Sequence, residues 1–520
     1  MSGGRILWVD DEIDLLKSHI ILLSEKGYDV DTVTTGEDAI AYARENDVDL
    51  VFLDEMMPGI GGLEALGKIK ELKPDLPVVM ITKNEEESLM IEAIGGKISD
   101  YLTKPVNPSQ VLLACKKFLE AKKITGEQAA RDYLRDFNEI SQRLMQPLDH
   151  DEWIDVYRQL VQWDIELDTH PEINLRQTLN DQKRECNKEF SKFIEKRYPK
   201  WLDEPRDGDR PTLTPDVTRE KVTPLVEKGG PVFYVVVDCL RLDQWEAMAR
   251  LLRELYKIET DYYYSILPTS TEYARNALFA GLYPSEIEAA YPDLWRGDDD
   301  ERSMNKHEKE HLAKAMKREG IDLGNDLKYV KLIDPEYGRN FERDALSYRD
   351  TRLTAIVVNY LDMIAHGRSD SDVLKEIAPD EAAYRSLTES WFRHSSLLGI
   401  FRKLATVKGA RVVVTTDHGS VRCMRGAKAL GDRETSKNLR FKHGRNIKAD
   451  AKRAIYVKDP ATYKLPRRGI TTNYIVAKED YYFVYPTDYH HYLSRYKDTF
   501  QHGGVSMEEM ILPVAVMEPK

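Results

Sequence analysis

Apolar residues along this chain form short β-rich runs separated by stretches with three- and four-residue apolar spacing, and the alternation occurs twice. Between residues 5 and 120 the runs are RILWV, YDVDTV, VDLVFLD, PVVMIT and DYLTKP. Helical spacing follows them, through Leu23, through Arg44, from Leu63 to Leu72, after Glu85 and from Ser109. Five such runs with helices between them predict a doubly wound parallel sheet covered on both faces. From about 109 to 200 no β-rich run occurs, and the spacing predicts a series of helices with Phe137, Trp153 and Trp163 in their core. Residues 203–230 are rich in Pro, Gly and charge, the composition of a linker or surface crossing. A second α/β pattern then begins at VFYVVVD. It continues through a helix from Asp243 to Leu255, YYYSILP, a helix after Thr271, TAIVVNYL, a helix from Ala382 to Leu404, ARVVVTT, RAIYV, YYFVYP and MILPVAVM. The expected organisation is an α/β domain over residues 1–120, a helical connector over 121–205 and a second α/β domain over 206–520.

Size and charge narrow the classes. A chain of 520 residues is too long for one core. With 42% hydrophobic and 32% charged residues it reads as a soluble globular protein. Asp and Glu number 89 against 76 Lys and Arg, a formal net charge of −13. That sign disfavours a general duplex-DNA binder, which needs clustered cations, and no helix-turn-helix candidate follows the first domain. Cys115, Cys186, Cys239 and Cys423 are far apart and form no CxxC pair, so they read as reduced residues of a cytoplasmic protein. MSGG runs straight into RILWV with no secretory signal, and no apolar stretch approaches the roughly 20 residues of a membrane helix.

The first domain carries chemistry at its strand ends. VDD at 9–11, LDEMMPG at 53–59, MIT at 80–82 and LTKP at 102–105 each close a β run. In a doubly wound sheet the carboxyl ends of the strands share one rim, so Asp10, Asp11, Asp54, Thr82 and Lys104 converge. Three crowded carboxylates call for a hard cation, and Mg²⁺ suits oxygen ligands with retained water. Asp54 is then placed to accept a phosphoryl group, with Lys104 as a point charge and Thr82 as a hydrogen-bond partner for its oxygens.

Seven residues of the second domain suggest a two-metal phosphoryl-transfer site: Asp238, Thr271, Asp362, His366, Asp417, His418 and His502. Asp238 ends a buried-type strand. Thr271 precedes a helical run, whose positive end favours an anion. Asp362 and His366 are four apart and share a helix face. Asp417 and His418 follow a strand, and Gly419 permits a sharp bend. Oxygen and imidazole donors of this kind suit zinc. One ion would take Asp238, Asp417, His418 and the Thr271 oxygen, and the other Asp362, His366 and His502. Two ions roughly 4 Å apart clamp the attacking and leaving oxygens of an in-line displacement, with Thr271 as nucleophile.

On these motifs, the first 120 residues resemble the response-regulator receiver domain. Residues 231 to 520 resemble the PglZ branch of the alkaline phosphatase superfamily, and the PTST to GLYP stretch is also similar to the nucleophile segment of nucleotide pyrophosphatase/phosphodiesterases. The whole arrangement resembles the PorX-type response regulators of type IX secretion in Bacteroidetes. The receiver resemblance implies phosphorylation of Asp54 by a PorY-like sensor histidine kinase and a Mg²⁺ set of Asp10, Asp11, Asp54 and Met56. It further implies a switch through Thr82 and Tyr101 and a homodimer on phosphorylation. The remaining resemblance implies two Zn²⁺ ions and a sigma factor or secretion-system component as partner. The expectation is a zinc-dependent phosphodiesterase acting on nucleotides or oligonucleotides under Asp54 control; diester and monoester substrates both fit the ligand set. The alternative is a non-enzymatic adaptor or nucleotide sensor switched by phosphorylation.

Two further features compete for attention. Cations between Arg422 and Arg453 suggest a substrate clamp in which Arg440, Lys442 and Arg445 hold an anionic substrate, against a merely solvated face. HEKEH at 307–311 matches the zinc-protease pattern HExxH, but its highly charged surroundings suggest a surface helix with solvent-facing His307 and His311, and no third ligand follows.

Overall fold

The structure, a computed structural model, describes residues 4–83, 98–170, 175–205, 208–295, 305–431, 438–467, 472–486 and 489–520. The helix expected after Glu85 lies outside the described residues. Two compact units divide at Arg135 and Asp136.

In the first unit, strands β1 (Arg5–Val9), β2 (Asp29–Val33), β3 (Leu50–Asp54), β4 (Val78–Thr82) and β5 (Asp100–Thr103) form one all-parallel sheet in the order β2-β1-β3-β4-β5. The central strands β1, β3 and β4 are apolar on both faces because both are covered, whereas the edge strands β2 and β5 are more polar and exposed. Leu7, Val9, Val51 and Leu53 pack with Ala39, Ala65 and Ile69 on one side. Ile6, Trp8, Leu50 and Phe52 pack with Leu23, Val111 and Ala114 on the other. This is the predicted doubly wound domain.

The second unit is built on a six-stranded mixed sheet. Strands β6 (Val232–Val237), β8 (Leu327–Leu332), β9 (Leu353–Val358) and β10 (Arg411–Thr415) are parallel, in the order β10-β6-β9-β8. The C-terminal strand Ile511–Pro519 runs antiparallel beside β10, and β7 (Tyr256–Tyr264) pairs outside it. The expected helix from Ala382 to Leu404 is two helices, Glu381–His394 and Ser396–Leu404, because the Ser395 hydroxyl accepts from the Leu398 amide and starts the second one.

Residues 208–230 are not a surface linker. They form short helices Thr214–Val217 and Thr223–Glu227, and Val217, Val222, Leu225 and Val226 enter the core against Leu278 and Phe279. Their prolines occupy first helical turns, where no amide hydrogen is needed, so the Pro-rich composition encodes helix starts.

The connector helices His150–Thr169 and Arg176–Trp201 belong to this same unit. An Asp149–Glu152 capping box starts the first. Trp153 is buried edge-on against Phe190 at 5.3 Å between centroids, whereas Phe137 and Trp163 are only half-buried; the Trp163 indole donates to Asp136 at 3.2 Å. A largely buried ionic chain ties these helices to the elements packed on the six-stranded sheet. Lys183 bridges Asp164 (2.9 Å) and Glu381 (2.5 Å), Arg241 bridges Glu381 (3.0 Å) and Asp243 (2.9 Å), and Arg385 joins Asp243 (2.7 Å) to Asp168 (2.5 Å). Trp153→Ala removes the aromatic contact that wedges the two helices together. It is expected to destabilise this unit by about 3–5 kcal/mol, read as a lower unfolding midpoint of the second unit in urea.

Candidate metal centres

The two predicted ligand sets are two real clusters. Asp238, Asp417 and His418 offer ligand atoms within 4.8 Å of one another, as do Asp362, His366 and His502. Strand pairing produces the first. Val236 on β6 faces Thr415 on β10, so Asp238 and Asp417 leave the sheet side by side. Asp238 is fixed by its amide donating to Val358 (2.9 Å), and Cys239 turns the chain at φ 64°, a conformation uncommon outside glycine. One Asp417 oxygen accepts from the amides of His418 (3.1 Å) and Cys239 (3.5 Å). His418 Nδ1 lies 3.1 Å from the Gly419 carbonyl, which can only accept, so Nδ1 carries the proton and Nε2 presents a lone pair to the cluster. Gly419 is required by close approach rather than by bend: a Cβ there would lie 1.9 Å from the Glu508 carbonyl oxygen.

Thr271 opens the helix Thr271–Ala280 with Ser270 as its N-cap. Its Oγ1 lies 3.0 Å from His418 Nε2 and donates to Asp238 Oδ1 at 3.4 Å, and the residue remains half-buried rather than sealed. The second cluster stands on the helix Tyr360–Asp370, where His366 Nε2 is 3.2 Å from Asp362 Oδ1. His502 Nε2 reaches the same oxygen at 3.5 Å and His366 Nε2 at 3.1 Å. The His418 and His502 rings stack at 4.1 Å, which joins the clusters.

The electrostatics fit cations here. Burial first, then the neighbouring Asp417 charge, raises the Asp238 carboxyl to about 7, and burial raises Asp417 as well. Burial and the adjacent His502 lower His418 to about 3. Burial is the largest single influence on His502 and opposes its charge, but the Asp362 hydrogen bond and the charges of Asp362, Glu272 and Asp238 together outweigh it and raise the imidazole to about 9; the two histidines hold Asp362 well below the carboxylate range against its own desolvation. Asp417 Oδ2 is buried without a hydrogen-bond donor. Crowded carboxylates, an inward imidazole lone pair and a donorless oxygen are the donor set a divalent cation satisfies.

In the first unit Asp10, Asp11 and Asp54 converge in the same way. Asp10 and Asp54 are buried and Asp11 is exposed. Lys104 Nζ reaches Asp54 at 2.9 Å and Asp10 at 3.1 Å. Burial raises the Asp54 carboxyl against the pull of Lys104. Thr82 is buried at the end of β4, and Tyr101 on β5 is 44% exposed. The Met56 side chain is exposed, and only its main-chain carbonyl is a donor that a hard cation accepts.

Two expectations fail on burial. Arg440 cannot clamp substrate: it is fully buried and forks onto Glu509, which itself accepts from the Gly504 amide and Ser506 hydroxyl (both 2.8 Å) and so braces the loop after His502. Lys442 is buried over the Tyr485 ring at 4.5 Å and pushed down to about 8 by desolvation, which leaves Arg445 as the exposed member of the three. HEKEH lies at the start of the helix Glu308–Arg318, whose Glu308, His311, Leu312, Ala315 and Met316 are buried. His307 is half-buried, so neither histidine is simply solvent-facing. The three- and four-residue spacing of that face was readable, but the charge between its members masked it. Sequence reasoning also passed over Arg275, buried one helical turn beyond Thr271 and bonded to Asp238.

Residues 217–517, more than half of the chain, match the family described as BREX system PglZ alkaline phosphatase-like domain, and the chain belongs to that family. Residues 6–116 match the response regulator receiver domain and 123–202 the PorX response regulator linker domain, so the chain has the domain set of a PorX-type response regulator with a PglZ effector. Among curated proteins it is 36% identical over 115 residues to the transcriptional regulatory protein ResD of Bacillus subtilis, covering 22% of this chain and 48% of ResD. It is 39% identical to TcrA of Mycobacterium tuberculosis, covering 21% and 42%. The chain thus spans less than half the length of either relative. Solved receivers from Methanospirillum hungatei (29% identical, 23% of this chain and 94% of that one, TM-score 0.22) and Thermotoga maritima (34%, 22% and 99%, 0.21) are also similar. No helix among the described residues is long and apolar enough to cross a membrane.

Burial lowers the His311 imidazole to about 4. The unfolded chain therefore binds that proton first, and stability present above the ordinary pKa of about 6.5 is lost as pH falls from there towards 4. The loss is about 3 kcal/mol. His311→Phe is expected to flatten that part of a denaturation profile measured between pH 7 and 4.

Proposed function

We propose that the second unit is a two-metal phosphodiesterase acting on nucleotides or oligonucleotides, and that phosphorylation of Asp54 controls it. The observation that carries this is the Thr271 hydroxyl, 3.0 Å from His418 Nε2 at the edge of two adjoining ligand clusters. Asp238, Asp417, His418 and the Thr271 oxygen would hold one divalent cation, and Asp362, His366 and His502 the other; the nitrogen and oxygen donors favour zinc. Bound ions would supply Lewis acidity and charge neutralisation for both the attacking and the leaving oxygen. Thr271 attacks phosphorus and one alcohol departs, taking up a proton in place of the one Thr271 gives up; the other alcohol stays on the phosphoryl group now esterified to Thr271, and water then cleaves that ester. Asp238 takes the hydrogen bond of the Thr271 hydroxyl and orients it, while the main chain holds Asp417 so that its second oxygen faces the reacting centre. His418, with its Nδ1 proton pinned to Gly419, keeps its Nε2 lone pair directed into the cluster.

Asp10, Asp11, Asp54 and the Met56 carbonyl are assigned to Mg²⁺, with Lys104 and Thr82 receiving the phosphoryl oxygens and Tyr101 reporting the change at the surface. A receiver takes its phosphoryl group from a sensor kinase. We place the output in control of type IX secretion on the PorX linker match and the domain order, and the chain in the cytoplasm on its four buried free cysteines.

Thr271→Ala is expected to lower turnover of bis-p-nitrophenyl phosphate by about 1000-fold or more while bound zinc is largely retained; equal turnover by the two proteins would make the adaptor reading correct. With beryllofluoride, the mass in solution is expected to double with rising concentration, and Asp54→Ala is expected to abolish that increase. A monomer throughout would remove the dimer step.

A further inference from the structure

HEKEH resembles a protease motif, yet its glutamate serves a different site. Glu308 is 1% exposed, and its Oε1 accepts from Arg275 Nε at 2.6 Å. Its other oxygen accepts from the Tyr329 hydroxyl on β8. Arg275 is 2% exposed, and through Nη1 it donates to Asp238 Oδ2 at 2.6 Å. The remaining oxygen of Asp238, Oδ1, is the one that faces Thr271 (3.4 Å) and His418 (3.7 Å). Tyr329, Glu308, Arg275 and Asp238 thus form one buried chain from β8 to the first metal cluster. Arg275 lies four residues after Thr271 on the same helix, so it also fixes the rotation of that helix about the nucleophile.

We propose that Glu308 is a positioning residue for the two-metal centre: with Tyr329 it locks Arg275, and Arg275 holds Asp238 so that a single oxygen is offered to the cation and to Thr271. Several observations support this. A guanidinium is a rigid planar fork, and two carboxylates from different elements, bonded through Nε and Nη1, fix its orientation. An arginine free to bind substrate would keep donors open to solvent, whereas Arg275 is enclosed and spent on Glu308 and Asp238. Carboxylate ligands of metals are themselves held by outer hydrogen bonds, and loss of such a partner lowers metal affinity by about 10–100-fold. Glu308 is not itself a member of either cluster of converging ligand atoms.

This inference rests on the proposed two-metal reading. The test uses the full-length protein with zinc and bis-p-nitrophenyl phosphate, comparing wild type with Glu308→Gln and Tyr329→Phe. Zinc affinity is measured by competition with a chromophoric chelator, and the metal-free melting temperature is measured in parallel. For Glu308→Gln one of the two zinc ions is expected to bind about 10–100-fold more weakly, and kcat at saturating zinc to fall with KM nearly unchanged. Tyr329→Phe, which keeps the carboxylate, is expected to show the same pattern more weakly, and it decides the matter if Glu308→Gln fails to fold. Zinc affinity and kcat equal to wild type in the folded variants overturn the positioning role. A rise in KM with kcat unchanged assigns Arg275 to substrate instead and also overturns it. If wild type binds no zinc and Thr271→Ala is as active as wild type, the two-metal reading itself has failed, a result separable from the others.

Discussion

The pairing of β6 with β10 is the constraint on which the functional half of this molecule depends. Parallel neighbours in register bring Asp238 and Asp417 off the same edge of the sheet, where both are buried. Two buried carboxylates in contact are unfavourable unless a cation or a proton neutralises them. The surroundings are arranged for the cation: amides fix one oxygen of Asp417, a carbonyl fixes the tautomer of His418, and a guanidinium fixes one oxygen of Asp238. Each leaves one possible ligand atom facing the other two. The second cluster is added by a helix after β9, the other neighbour of β6, and by a loop returning from the far end of the chain.

That loop is held by long-range contacts. Arg440 braces it through Glu509, and the connector helix clasps it, since Asn187 donates to Glu508 (2.9 Å) and accepts from the Met507 amide (2.8 Å). The same connector helix carries Lys183, the start of the ionic chain that reaches Arg241, three residues beyond Asp238. The helices between the receiver and the effector are therefore structural members of the effector. Buried ion pairs of this kind do not add much to net stability, but removing one partner costs about 3–5 kcal/mol because the other charge is stranded.

The receiver shows the opposite economy. Its five acidic, hydroxyl and ammonium groups all come from strand ends of one small parallel sheet, so local sequence and topology suffice to assemble them. Lys104 spans two carboxylates there, Asp10 and Asp54, and partly balances their charge.

Sequence alone determined the two α/β patterns, the order of the ligands and even their division into two sets. Hydrophobic periodicity and strand-end carboxylates are local signals, and metal chemistry permits few residue types. Tertiary structure alone decided which polar residues are buried, because burial depends on what packs against a residue rather than on its neighbours in the chain. Arg440 in a basic stretch became a core ion pair, Glu308 in a charged helix became the partner of Arg275, and a Pro-rich stretch became helix starts in the core. Those distant pairings position Asp238 and the loop that carries His502.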